Sequence, residues 1–248
     1  MDLATSTIII ACAAYALGGF SKGVLGVGLP MVAIPVVSTF APTPDVVAVT
    51  FFTVVTANFY QAVSGGHLTI AIKRFWPMLL VIIMAVPVGT YSLVRFQAST
   101  VATLLGIAVA IFALASLLKP TLRVPERMER PLSLVAGAIG GYFGGMVLIS
   151  GPAVIMLLVA LHLKKEEFIG TIGLVYLSTQ IPAGVALAYM GVLRTEHIVP
   201  GLLTLIPVGI ALLIGQWVRS KIDQERFRKV LLISMILIGL NLIRRGIF

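Results

Sequence analysis

The chain has 248 residues, 59% of them hydrophobic and only 11% charged, with a formal net charge of +9. A soluble domain carries roughly 25% charged residues, so there is too little polar surface here to cover a globule. Apolar runs of helical length recur from end to end, which marks an all-α polytopic membrane protein. The basic residues sit in the gaps between these runs rather than on one face or tail, and no nucleic-acid motif accompanies them, so a nucleic-acid partner is excluded. Cys12 is the only cysteine, which rules out a disulfide framework and a thiolate metal site. It is expected to be a small buried apolar residue.

The predicted apolar segments of the first half fall at 5–20, 24–40, 46–63, 77–94 and 100–118. The first is read as an internal segment and not as a signal peptide, because Asp2 precedes it and a related run returns later in the chain. No other targeting segment is evident. The second half contributes segments at 131–149, 150–161, 168–190, 198–217 and 229–243.

The halves are divergent copies of one unit. At an offset of 122 residues, Gly18-Gly19 falls on Gly140-Gly141, Gly23 on Gly145, Pro30 on Pro152 and Asn58 on Gln180. At an offset of 120, Pro87–Gly89 falls on Pro207–Gly209. The expected organisation is one integral membrane domain built from repeats 1–122 and 123–248.

The opening pair of each copy can be one interrupted span, two spans, or a hairpin that enters and leaves on the same side. With a single span, the basic residues outside the membrane split nine against eight. If the pair goes in and back, thirteen lie on one side and only Arg95, Arg194, Arg244 and Arg245 on the other. That bias is what the positive-inside rule requires. Each copy then crosses an odd number of times, giving two inverted-topology repeats with both termini non-cytoplasmic, in a multi-pass protein of the cell (inner) membrane. Inverted repeats are frequent in secondary transporters, whose substrate sites lie near the midplane.

The stretch "LGGFSKGVLGVGLP", Leu17 to Pro30, interrupts the first pair with five glycines, a proline and Lys22. Gly23, Gly26, Gly28 and Pro30 loosen this pair as Gly144, Gly145, Gly151 and Pro152 loosen the second. Glycine and proline in a helix interior cost roughly 1 and 3 kcal/mol relative to alanine. Broken backbone at membrane depth is tolerated where protein or a wet cavity satisfies it. Close helix packing is the competing reading of these glycines. Every Asp and Glu is expected in a loop or terminus, so Lys22 is the one charge at a break. It either snorkels to the interface or meets an anion together with helix N-termini. The third segments add Thr53, Thr56, Asn58 and Gln61 in one copy and Tyr176, Ser178, Thr179 and Gln180 in the other. These groups either line an oxyanion site or bond helix to helix.

The candidate substrate-binding residues are Lys22, Ser21, Gly23, Gly26, Gly28, Pro30, Thr56 and Asn58 in the first copy, with Gly145, Ser150, Gly151, Pro152, Thr179 and Gln180 in the second. No catalytic residue, metal or cofactor is expected. An intramembrane enzyme would need a His facing Ser150, and His67, His162 and His197 all fall in predicted loops.

"GFSKGVLGVGLPMVAIPVV" at Gly19–Val37 and "GGYFGGMVLISGPAVIML" at Gly140–Leu157 resemble the sulfite exporter TauE/SafE family of membrane permeases. The resemblance spans essentially the whole chain. The family often has a further glycine pair where this chain has Leu29-Pro30, and another glycine near Leu148. The resemblance implies transport of sulfite, sulfonates or related small oxyanions, often outward. Joined to the repeat, the reading is a secondary transporter that works by alternating access around a midplane site between the two helix breaks. A passive anion channel is the main alternative, with an intramembrane enzyme or a scaffold behind it. The expected partners are a small anionic substrate and the lipid bilayer. Oligomeric state, coupling ion and direction stay open, a homo-oligomer included.

Overall fold

The computed structural model describes residues 3–64, 67–92, 123–147 and 151–247, and positions 103, 106, 107, 110, 111, 113, 114, 117 and 118 between them. Most of the predicted segment 100–118, and Ser150, lie outside the described residues. The described residues are helical, without strands: α1 Leu3–Leu25, α2 Leu29–Val37, α3 Thr43–Ser64, α4 Leu68–Ser92, α5 Glu126–Val147, α6 Gly151–Ala160, α7 Lys165–Tyr189, a short turn of 3-10 helix at Thr195–His197, α8 Ile198–Lys221 and α9 Gln224–Ile247.

Five stretches among the described residues are long and apolar enough to cross a bilayer: Ser6–Leu25, Asp45–Ser64, Leu68–Gly89, Lys165–Tyr189 and Thr195–Lys221. The protein is therefore an all-α polytopic membrane protein. α2 and α6 have 9 and 10 residues, so at ~1.5 Å per residue each reaches about 15 Å or less, half of a hydrocarbon core of about 30 Å. α5 and α9 open on charged residues, which shortens their apolar runs below the ~20 residues that a crossing needs.

Three expectations change. α4 starts at Leu68 rather than 77, which brings Lys73 and Arg74 into its first turns. Asp45, Glu126, Glu129, Glu166, Glu167 and Glu225 stand in the first turns of helices and not in loops, where a carboxylate meets the positive end of the helix dipole. Cys12, expected buried, is exposed on α1.

The chain packs into two compact units, Met1–Gln61 with Gly184–Asp223 and Ala62–Ala183 with Gln224–Phe248. Each draws on both halves of the sequence, so this division by packing is separate from the expected division into repeats.

In the first unit, Tyr15, Leu29, Ala33, Val54, Ala57, Val208 and Leu212 form one buried cluster drawn from α1, α2, α3 and α8. α2 folds back along α1, with Gly18 seated on the Leu29 backbone, where a Cβ would meet the Leu29 carbonyl oxygen at 2.8 Å. α3 then runs parallel to α1. Tyr15 bonds Thr50 at 2.7 Å, Lys22 bonds Asn58, and Gln61 reaches Gly26 at 3.2 Å, at sequence separations of 35, 36 and 35. α8 also lies parallel to α1, backbone on backbone: a Cβ on Gly19 would meet the Val208 carbonyl oxygen at 2.7 Å, and one on Gly23 would meet Gly215 Cα at 2.9 Å. Small residues four apart allow this approach in membranes, where dispersion rather than the hydrophobic effect holds helices together.

The second unit uses the same device. Gly137 and Gly141 on α5 lie against Met78 and Ile82 of α4, where an added Cβ would meet their carbonyl oxygens at 2.8 and 2.6 Å. Arg74 on α4 forms a two-pronged pair with Glu129, at 2.5 and 2.9 Å, and reaches Glu167 at 2.9 Å.

Candidate functional site

The first break is confined to Gly26–Gly28. Gly26 has φ 80° and Gly28 has φ 109°, a left-handed backbone that costs an L side chain roughly 1–2 kcal/mol. Helix α1 continues to Leu25, so Lys22 stands in its last turn and not in the gap. Gly18, Gly19 and Gly23 are helical residues whose missing side chains admit α2 and α8. The glycines of this stretch thus divide into three that pack helices and two that turn the chain. Gly23, one of the candidate binding residues, belongs to the packing group. Pro30 sits at the start of α2, where its missing N–H removes no helical bond.

Three carbonyls at and just beyond the end of α1 have side-chain donors. Gln61 donates to Gly26 O at 3.2 Å and Ser21 donates to Val27 O at 3.1 Å. Arg219, from the last turn of α8, donates to Gly23 O at 2.7 Å. A cation at the negative end of a helix dipole is favourably placed, and two occupy this end of α1.

Both are buried. Lys22 is 3% exposed and Arg219 6%. A snorkelling lysine would be exposed at its tip, whereas Lys22 Nζ donates to Asn58 Oδ1 on α3, and Asn58 is itself fully buried. The amide is neutral, and a charge at this depth is costly to bury, so its polar surroundings matter to the fold. Lys22 carries three N–H donors and Asn58 adds its amide N–H pair. The wall is donor-rich, and the N-terminus of α2, uncapped by any side chain at Gly28, opens beside it. Such an arrangement suits an anion.

Of the other candidates in this unit, Ser21 and Gly28 are locked together: a Cβ on Gly28 would meet Ser21 Oγ at 2.5 Å. Thr56 is not brought to the site. It is exposed and donates back to Phe52 O at 2.9 Å. Thr53 is buried but serves packing, with its hydroxyl at 3.2 Å from Gly201 O on α8.

The second break has a different chemistry. Gly145 is buried in α5, and Gly151 and Pro152 open α6 as buried residues. A Cβ on Gly151 would meet the Tyr176 hydroxyl of α7 at 2.5 Å. Thr179 is buried and donates back to Val175 O at 3.0 Å, and Gln180 is half-buried on the same helix. Ser150 lies outside the described residues.

Arg219 and Gln61 are the residues the candidate list lacks. Gln61 was legible as a polar group in a span. Arg219 carried no local signal, since it reads as a flanking charge until Gly23 and Gly215 bring α8 onto α1. Among the described residues there is no cluster of three or more His, Cys, Asp or Glu. His197 lies 3.4 Å from Asp45 at the start of α3, about 20 Å along that helix from Asn58. A family model described as Sulfite exporter TauE/SafE matches residues 11–242. No curated protein and no solved structure matches the chain.

Proposed function

Because the chain belongs to the sulfite exporter TauE/SafE family, we propose that it is a secondary transporter of sulfite, sulfonates or closely related small oxyanions. The observation that carries this reading is the pair of buried cations, Lys22 and Arg219, at the end of α1. An oxyanion at the break meets two buried cations on one helix end, and amide donors replace its water without holding it too tightly to release. Lys22 and Asn58 contact the anion, and Arg219 holds the carbonyl end of α1 in place. A transporter family with this site argues against an enzyme.

The proposed cycle is alternating access, with the interrupted pair α1–α2 as a moving element. The repeats 1–122 and 123–248 are proposed to have inverted topology, both termini non-cytoplasmic, in the cytoplasmic membrane. The parallel course of α1 and α3 supports an opening pair that goes in and comes back. The test is reconstitution into liposomes with labelled sulfite and small sulfonates. Saturable uptake with counterflow is expected. Unitary currents without counterflow would replace the carrier by a channel. Thiol labelling of Lys22→Cys from one side only, in every condition, would overturn alternating access.

A further inference from the structure

Away from the helix breaks, the second unit holds a cavity of about 340 Å3 between the first turns of α4 and α5. Its charged lining comprises Lys73, Arg74 and Arg130 against Glu126 and Glu129, a net of +1. Arg74 is committed to Glu129 and Glu167. Among the described residues, no carboxylate lies within ion-pair distance of Lys73 or Arg130. Ser133 also lines the cavity, 6% exposed, and its hydroxyl makes no hydrogen bond to any described residue. A buried hydroxyl left so costs free energy. With Lys73 and Arg130 lining the same cavity, it suits an acceptor of one negative charge.

The geometry points to a phosphodiester site, and its surroundings identify the source as an anionic phospholipid headgroup. Trp76, on the cavity wall, is exposed, and Ile72, Leu80 and Met84 share its helix face at four-residue spacing, all exposed. An indole near the polar end of a lipid-facing apolar stripe is the usual interfacial arrangement, and basic pockets between helices there take anionic headgroups. In this site the phosphate accepts from Ser133 Oγ, Lys73 and Arg130, and the acyl chains follow the α4 stripe. The single negative charge of a diester balances the lining, whereas a zwitterionic choline lipid would not.

The chain has two tryptophans, so Trp217→Phe leaves Trp76 as the sole reporter in the full-length protein. It is reconstituted in phosphatidylcholine vesicles with a rising share of phosphatidylglycerol brominated on its acyl chains. Quenching that saturates at a low phosphatidylglycerol share is expected, against quenching proportional to lipid fraction with brominated phosphatidylcholine. The further change K73Q/R130Q shifts half-saturation about twenty-five-fold, at about fivefold per cation. Ser133→Ala, which leaves every charge and the helix intact, weakens it severalfold. Equal quenching by both lipids, or an unchanged curve in K73Q/R130Q and Ser133→Ala that melt like the parent, would overturn the site. Displacement of the brominated lipid by inorganic phosphate at equal concentration would overturn the lipid as the source.

Discussion

Replacing Lys22 by methionine removes the charge while keeping the length and flexibility of the side chain. Two effects on stability oppose each other. Asn58 loses the donor to its buried Oδ1, a penalty of about 1–3 kcal/mol, while removing an ion that is 3% exposed relieves a desolvation cost of several kcal/mol. The folded protein is therefore expected to melt at the same temperature or higher. Substrate binding moves the other way. A hydrogen bond to a charged group contributes about 1.5–3 kcal/mol, so the apparent affinity for the anion falls roughly 10- to 150-fold. The assay measures initial uptake against sulfite concentration in proteoliposomes, with thermal melting of the same preparations. A lysine that only braces the fold gives the opposite pair of signs: a lower melting temperature and unchanged affinity per folded molecule. Wild-type uptake kinetics in K22M would refute the assignment outright.

Asn58→Asp places a carboxylate against Lys22 Nζ. The resulting ion pair occupies the cation, so uptake falls at least as far as in K22M while the protein stays folded, as melting would show. Gly28→Ala forces an L side chain to φ 109° and into Ser21 Oγ, so it loses at least the roughly 1–2 kcal/mol of backbone strain. Adding Ser21→Ala removes the hydroxyl collision but leaves the strain and loses the donor to Val27 O, so the double variant should still melt below the parent. Gly23→Ala drives a methyl into the backbone of α8, an overpacking that costs about 1–3 kcal/mol. Thermal melting should fall by more in Gly23→Ala than in Gly209→Ala, whose added Cβ meets nothing within 4 Å.

Particular residues show how far composition and pattern reach. The helical class and most spans were legible because hydropathy over helical lengths registers directly in sequence. The half-length of α2 was not, since "LPMVAIPVVSTF" reads as continuously apolar. Lys22, Asn58, Gly26 and Gly28 were legible as candidates: a charge, an amide and glycines at membrane depth conflict with their setting. Sequence did not separate the glycines that turn the chain from those that pack helices, because a positive φ and a close backbone contact both select the same residue. Thr56 and Thr53 lie three residues apart on one helix. One is exposed and the other is buried against α8, and only the position of the neighbouring helix decides between them. Arg219 was hidden for the same reason.

The glycine faces shared by α1 and α8 bear on how these helices can move. Interdigitated side chains hold two helices in discrete registers, because each step requires rotamers to unlock and re-pack. Gly19, Gly23 and Gly215 meet α8 and α1 through main chain, where there are no rotamers to change. Sliding along such a seam meets a smoother resistance, of the kind that permits shear. The hydrogen bond from Arg219 to Gly23 O then acts as a latch on that seam, set one residue from the cation proposed to meet the substrate. Occupancy of Lys22 and the register of α1 on α8 are in this way mechanically adjacent.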